Sequence, residues 1–200
     1  MKKVLVSTAL AFSVMGMISG CGTTAPTAPN FNQCMIDGTQ APSWVCDGGA
    51  TMEGGLFAVG SAEKSPMGIS FQRQEATASA RDALSRQIGI KVKNMFKQFE
   101  QTTGIGDAQT ADKATQNVSK QVSAQTLNGS KVVHTWISPT GTYYVLVGMP
   151  DPKAVQQAVK KAVKTSLHND QALWQQFQAQ KADKALDAAV DKEFGGNKAQ

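Results

Sequence analysis

Apolar residues recur every three or four positions between Ser70 and about Glu100, at Ala76, Ala80, Leu84, Ile88, Val92, Phe96 and Phe99. That period predicts a long amphipathic helix. Arg73, Arg81, Lys93 and Lys97 fall off the stripe and belong on a solvated face. Gly89 is the one local conflict, since a glycine inside a helix costs about 1 kcal/mol against alanine. The stripe starts small, with Ala76 and Ala80, and ends large, with Phe96 and Phe99. Such a taper suits a helix crossing a twisted sheet, close at one end and splayed at the other.

Strand patterns flank this helix. Leu56–Ala62 is a short apolar run preceded by turn residues. Lys131–Ile137 and Thr142–Gly148 are rich in β-branched and aromatic residues, and Ser138-Pro139-Thr140-Gly141 between them predicts a β-hairpin. The helix stripe is expected to face the sheet formed by all three runs. His134 reads as lying on one strand face with Val132 and Trp136. Residues 111–127 fit either a weak helix (Val118, Val122, Leu127) or one face of a strand (Val118, Val122, Ala124, Thr126). Helix is favoured, and Asn128-Gly129 ends the element either way. Asp151-Pro152 supplies an N-cap and a first-turn proline for a helix carrying Val155, Ala158, Val159, Ala162 and Val163. Asp170 caps one last helix, with Leu173, Trp174, Phe177, Leu186 and Val190, up to Gly195-Gly196. The fold class expected is α+β: a small antiparallel sheet of about three strands crossed by one long helix, with additional C-terminal helices.

The N-terminus follows a different logic. Lys2 and Lys3 precede Val4–Ile18, a charge-free and mostly apolar run, and then Ser19, Gly20 and Cys21. This is the three-part layout of a secretory signal, too short to span a bilayer. Ile18-Ser19-Gly20-Cys21 resembles the bacterial lipobox. The resemblance implies a diacylglyceryl group on the Cys21 sulfur, cleavage before it, and acylation of the new amine by a chain such as palmitate. An ordinary signal peptide with a chance cysteine is the lesser reading. Each buried acyl CH₂ contributes about 0.8 kcal/mol and one chain holds only marginally, so two or three chains make a lasting anchor. Gly22 stands where lipoproteins kept at the inner membrane usually carry aspartate, which by resemblance implies sorting to the outer membrane.

Residues 22–33 are rich in Thr, Ala, Pro and Asn and read as a tether. Residues 34–55 read as irregular, with Trp44 packing on the domain as a plug. The organisation expected is a signal peptide (1–20), a tether from the lipidated cysteine (21–40), an α+β domain (41–167) and a C-terminal helical extension with a tail (168–200). Loss of residues 1–20 lowers the formal net charge from +5 to +3. No basic run is interleaved with aromatics as a nucleic-acid groove requires, so no nucleic-acid partner is expected. With Cys21 acylated, Cys34 and Cys46 remain as an even pair in an oxidising compartment, which predicts a disulfide. A metal site is the sharper alternative, but it needs further ligands, and His134 and His168 sit in unrelated contexts.

Four ordered segments carry a wider resemblance: Ala41-Pro42-Ser43-Trp44-Val45, Gly55–Ala62, Gln74–Leu84 and Gly141–Gly148. Together they resemble the LPP-twenty family of outer-membrane lipoproteins, over roughly residues 41–165. The resemblance implies a long helix across an antiparallel sheet, with further helix at the C-terminus. The family is similar to lipoproteins of the flagellar periplasmic disk, which form rings under the outer membrane. The Cys34/Cys46 pair and the length of the last helix depart from the family pattern.

No catalytic constellation emerges. His134 reads as a structural strand histidine before a general base, and His168 as a cap for the end of its helix. Nucleophile-elbow, zincin and phosphate-loop motifs are absent from the sequence, as is a glycosidase carboxylate pair. No enzyme activity, cofactor, metal or small-molecule substrate is expected. Two roles stay open. One is an outer-membrane-anchored periplasmic lipoprotein with a structural or assembly role in the cell envelope, associated with the flagellum or another ring. It would self-associate through sheet edges or through the apolar stripe of residues 170–194, which packs either on a partner or on its own domain. The other is a monomeric lipoprotein that binds and regulates a periplasmic protein such as a wall-building enzyme. For the anchor the test is direct: Cys21→Ser should leave an unlipidated precursor and abolish lipid-based membrane association. Retention of that variant on outer membrane at high salt would refute lipid anchoring at this residue.

Overall fold

The computed structural model describes residues 33–50, 52, 54–105, 108–149 and 151–195. A two-residue hairpin, β1 (Met35–Ile36) and β2 (Thr39–Gln40), leads into a single helical turn, α1 (Ser43–Cys46). Strand β3 (Leu56–Ala62) precedes the long helix α2 (Ile69–Thr103) and then α3 (Ala108–Gly129). Strands β4 (Lys131–Ile137) and β5 (Tyr143–Met149) form the expected hairpin, and α4 (Pro152–His168), α5 (Gln171–Ala179) and α6 (Asp183–Phe194) follow. The architecture is α+β, with residues 111–127 helical. The β1–β2 hairpin lies in a stretch read from sequence as tether, and its turn needs positive φ at Asp37 and Gly38.

The main sheet is antiparallel in the order β3-β5-β4. As the central strand, β5 is buried on both faces, which is why Val145, Leu146 and Val147 run without a polar break. Leu56, Ala58 and Ala62 of β3, with Val145 and Val147 of β5, face α2. Gly60 shares that face and marks the closest approach: a Cβ there would lie 2.2 Å from the Ala76 carbonyl oxygen and 2.2 Å from the Ala80 nitrogen. The small start of the stripe exists to let two backbones touch.

The stripe then leaves the sheet. Residues four apart on a helix overshoot a full turn by about 40°, so the steps from Ala76 to Phe96 carry the buried line about 200° around the axis. Its later part meets other helices: Phe99 stands 6.2 Å from Phe177 of α5, and the Lys91 ammonium donates to the Glu193 carbonyl of α6 at 2.6 Å. Two expectations are corrected here. The stripe does not face all three strands, because α2 covers β3 and β5 and leaves Val132 and Ile137 of β4 exposed. Nor does Val132 share a face with His134. A bulge between them sets Val132 opposite Val147 but His134 opposite Leu146, and the extra residue flips the alternation.

The C-terminal helices carry the predicted caps. The Asp151 carboxylate accepts from the amides of Lys153 and Ala154, and Asp170 from those of Ala172 and Leu173. The predicted single last helix is in fact two. Phe177 and Leu186 are nine residues apart, which puts them about 180° apart on one straight helix. Both are buried in the same core, so the chain must turn between them. It does so at Gln180–Ala182, with Lys181 in the left-handed region at φ 49° and the Ala182 amide bonded to the Phe177 carbonyl. Leu173, Phe177, Leu186 and Val190 all join the core of their own domain, which decides where that stripe packs.

Substitutions on α2 and its contact strand test this packing by urea melts. Leu84→Ala empties a fully buried position and should cost about 2–5 kcal/mol, against at most about 0.5 for exposed Lys93→Ala. Gly60→Ala should cost about 3 kcal/mol by forcing helix from sheet, whereas Gly89→Ala, with open space beside it, should stabilise by about 1 kcal/mol. Equal losses at Leu84 and Lys93 would contradict the architecture.

Candidate functional site

The sheet face opposite α2 carries the candidate surface. Alternation along β3, β5 and the bulged β4 places Phe57, Val59, Leu146, Tyr144, His134 and Trp136 there. The N-terminal segment covers part of it. Trp44 of α1 is buried with Phe57 and Leu146, and its ring stacks on His134 at 6.3 Å. Gly148 leaves room for the Phe57 ring, since a Cβ there would lie 2.1 Å from Phe57 Cδ1. Beyond the plug, Trp136 and Tyr144 remain half-buried, ring centroids 5.5 Å apart.

Covalent and polar ties hold the segment down. Cys34 and Cys46 form a disulfide with Cα atoms 5.7 Å apart. The bridge closes the β1–β2 hairpin onto α1, so Trp44 is set beside the sheet by a rigid loop. At the far tip, the Thr140 hydroxyl donates to the Asp37 carboxylate at 2.6 Å. Hydrogen bonds from Thr140 and then Ser138 hold the Asp37 carboxyl below the usual carboxylate value.

Of the predicted site residues, Cys34 and Cys46 are joined in the bridge, and the two histidines, read from sequence as structural, lie on separate elements. Cys21 lies outside the described residues. His134 sits on the outer sheet face, while His168 ends α4 with its ring 5.0 Å from Trp174. Glu100 is raised by burial and then by Asp112, and it lines only a small apolar gap with Phe96, Phe99 and Ile105. A cleft of about 300 Å³ lies between residues 47–50, Met52, residues 55–57, α2 and α6. Its Lys91 is committed to the end of α6, bonded to the Glu193 carbonyl and 5.9 Å over the Phe194 ring. Among the described residues no group of His, Cys, Asp and Glu could hold a metal ion, and no helix is long and apolar enough to cross a membrane.

Sequence reasoning found the cysteine pair and the Trp44 plug but missed the Trp136/Tyr144 surface. Its signal was the alternation along β5 and β4, obscured by the bulge. It also missed Met67, Ile69 and Phe71, three large apolar residues just before the buried stripe of α2 begins.

The class the fold defines is a small α+β domain whose disulfide-stapled N-terminal segment packs on the sheet face opposite its long helix. A family model described as LPP20 lipoprotein matches residues 42–149, from α1 to the end of β5, and the chain belongs to that family. It is a lipoprotein of the cell envelope. A comparison with curated proteins finds no match. The matched span takes in Cys46 but not Cys34, and ends before α4.

The staple is testable. Cys34→Ala/Cys46→Ala should cost about 3 kcal/mol in the chain-entropy account of so short a loop. Trp44 should become more solvent-exposed in fluorescence. An unchanged melt with unchanged Trp44 emission would mean that the bridge does not hold the plug.

Proposed function

We propose that the chain is an outer-membrane lipoprotein, anchored through lipid on Cys21 and facing the periplasm, whose domain is an assembly component of the envelope and not an enzyme. In this reading residues 1–20 are the signal, the spacer ends where the β1–β2 hairpin begins, and α4–α6 extend the family unit. Gly22 favours outer-membrane sorting, and the separation of His134 from His168 favours a role without catalysis. A ring at the flagellar base is one setting that suits such a part.

The observation that carries the reading is β4. It is an edge strand with exposed Val132 and Ile137, and the half-buried Trp136 lies on its other face. An open strand edge offers unpaired backbone groups to another chain, and neighbouring side chains give the pairing its specificity. The bulge limits how long such a pairing can run.

A second reading has one observation in its favour. The stripe on α5 and α6 is spent inside its own core, which removes one of the two self-association surfaces expected from sequence. The protein would then be a monomer that presents β4 and the aromatic face to a different partner, such as a wall-building enzyme. Light scattering on the mature Cys21→Ser protein separates the two. Assembly predicts a discrete multimer, weakened by Val132→Lys on exposed β4, at the end of the strand away from Ile137. A monomer at all accessible concentrations would move the assignment to the second reading.

A further inference from the structure

Seven large apolar side chains are exposed among the described residues, and five of them gather at one end of the domain. Met67, Ile69 and Phe71 lie on the loop into α2 and its first turn, Ile137 ends β4, and Met35 opens β1. Hydrogen bonds bring these segments to one place. The buried Gln72 amide donates to the carbonyls of Glu63 and Gly141 at 2.9 and 3.0 Å, joining the ends of β3 and β5 to the start of α2. The Thr140–Asp37 bond adds the turn of the β1–β2 hairpin. Met67 is 69% exposed and Ile69 52%, in a domain whose other large apolar side chains are mostly buried. Clustering of this kind marks a surface that leaves water for something else.

The position of the N-terminal segment says what that is. Cys34 is three residues before Asp37, hence within about 10 Å of this end at 3.3–3.6 Å per residue. Cys21 is thirteen residues before Cys34, so the lipidated residue can be no farther from it than about 45 Å. The end of the domain that carries the exposed apolar residues is therefore near the point where the chain runs back toward Cys21, and it lies within reach of a bilayer holding that residue. We propose that Met67, Ile69 and Phe71 insert into the interfacial zone of the membrane that holds Cys21, giving the domain a second, non-covalent membrane contact. The proposal rests on the reading of Cys21 as the lipid-bearing residue.

Tethering makes the contact effective. A surface confined next to its target needs little intrinsic affinity, because the lipid sets a high local concentration. Lys64 and Arg73 at this end are offset by Glu63 and Asp37, so apolar burial drives the contact and salt changes it little. Docked by this end, the main sheet runs away from the bilayer, and the β4 edge and the Trp136/Tyr144 face stay open to protein partners.

Hydroxyl-radical footprinting read by mass spectrometry tests this. The mature lipidated protein in vesicles of phosphatidylethanolamine and phosphatidylglycerol is compared with Cys21→Ser protein free in solution. Met67 and Phe71 should label about threefold more slowly or less on vesicles, in low and in high salt, with Met149 at the opposite end of β5 unchanged. Equal rates at Met67 and Phe71 overturn the proposal. The mass of the N-terminal peptide reports separately whether Cys21 carries lipid. Should it carry none, the Cys21→Ser protein at high vesicle concentration decides: protection at Met67 upholds the membrane contact, and its absence overturns it. Protection that appears without vesicles as protein concentration rises, together with a multimer mass, assigns the surface to a second copy and overturns it too. Met67→Ser/Ile69→Ser/Phe71→Ser alters only exposed side chains, so it should melt as wild type while losing vesicle protection at Met35 and Ile137. Retained protection there in the triple variant counts against the proposal.

Discussion

At Gly60 a strand and a helix meet backbone to backbone, with no side chain between them. Everything larger in the domain is arranged around that point. Because Ala76 and Ala80 bring α2 down onto β3, the helix can rise from the twisted sheet only toward its other end. Phe96 and Phe99 fill the wedge that opens, and α3, α5 and α6 close it. The four-residue spacing of the stripe serves the same geometry. A line of buried residues that winds about the axis lets one helix face a sheet first and a group of helices afterwards.

Much of this was written in local pattern. The long helix, the 138–141 turn and the aspartate caps depend on neighbours a few residues away, and each was legible. Residues 111–127 were harder because a spacing of four satisfies a loose helical period and a strand alternation together. Burial of Ala114, Val118 and Val122 against α2 settles the matter as helix. The break at Gln180–Ala182 was legible in principle, since Phe177 and Leu186 cannot share one face of a straight helix. No glycine or proline marks it, and Lys181 adopts the left-handed conformation without the residue type that usually announces one.

The candidate surfaces were less legible than the fold, for a physical reason. A cysteine pair in an exported chain carries its own chemistry, so the bridge could be read from composition. An open strand edge or an exposed apolar end is defined by what fails to cover it. That depends on where α2 stops across the sheet, on a one-residue bulge in β4, and on hydrogen bonds between residues as distant as Asp37 and Thr140. Met67, Ile69 and Phe71 precede the stripe, and no sequence pattern assigned them to a surface. They are exposed because the stripe begins only at Gln72 and Ala76.

The disulfide also has a mechanical meaning. Tension applied between an N-terminal anchor and the domain enters the folded part at Cys34. With the sulfurs joined to Cys46, that load passes through the covalent bridge and skips the eleven residues between them. The β1–β2 hairpin, two residues per strand, is thereby relieved of a pull that would otherwise unzip it one pair at a time. Load arrives instead at Cys46, the last residue of α1, while the Trp44 side chain in the bypassed loop stays wedged among Phe57, Leu146 and His134. In an envelope protein strained by movement of its surroundings, the bridge would thus leave both the hairpin and the indole's seat on the sheet out of the line of pull.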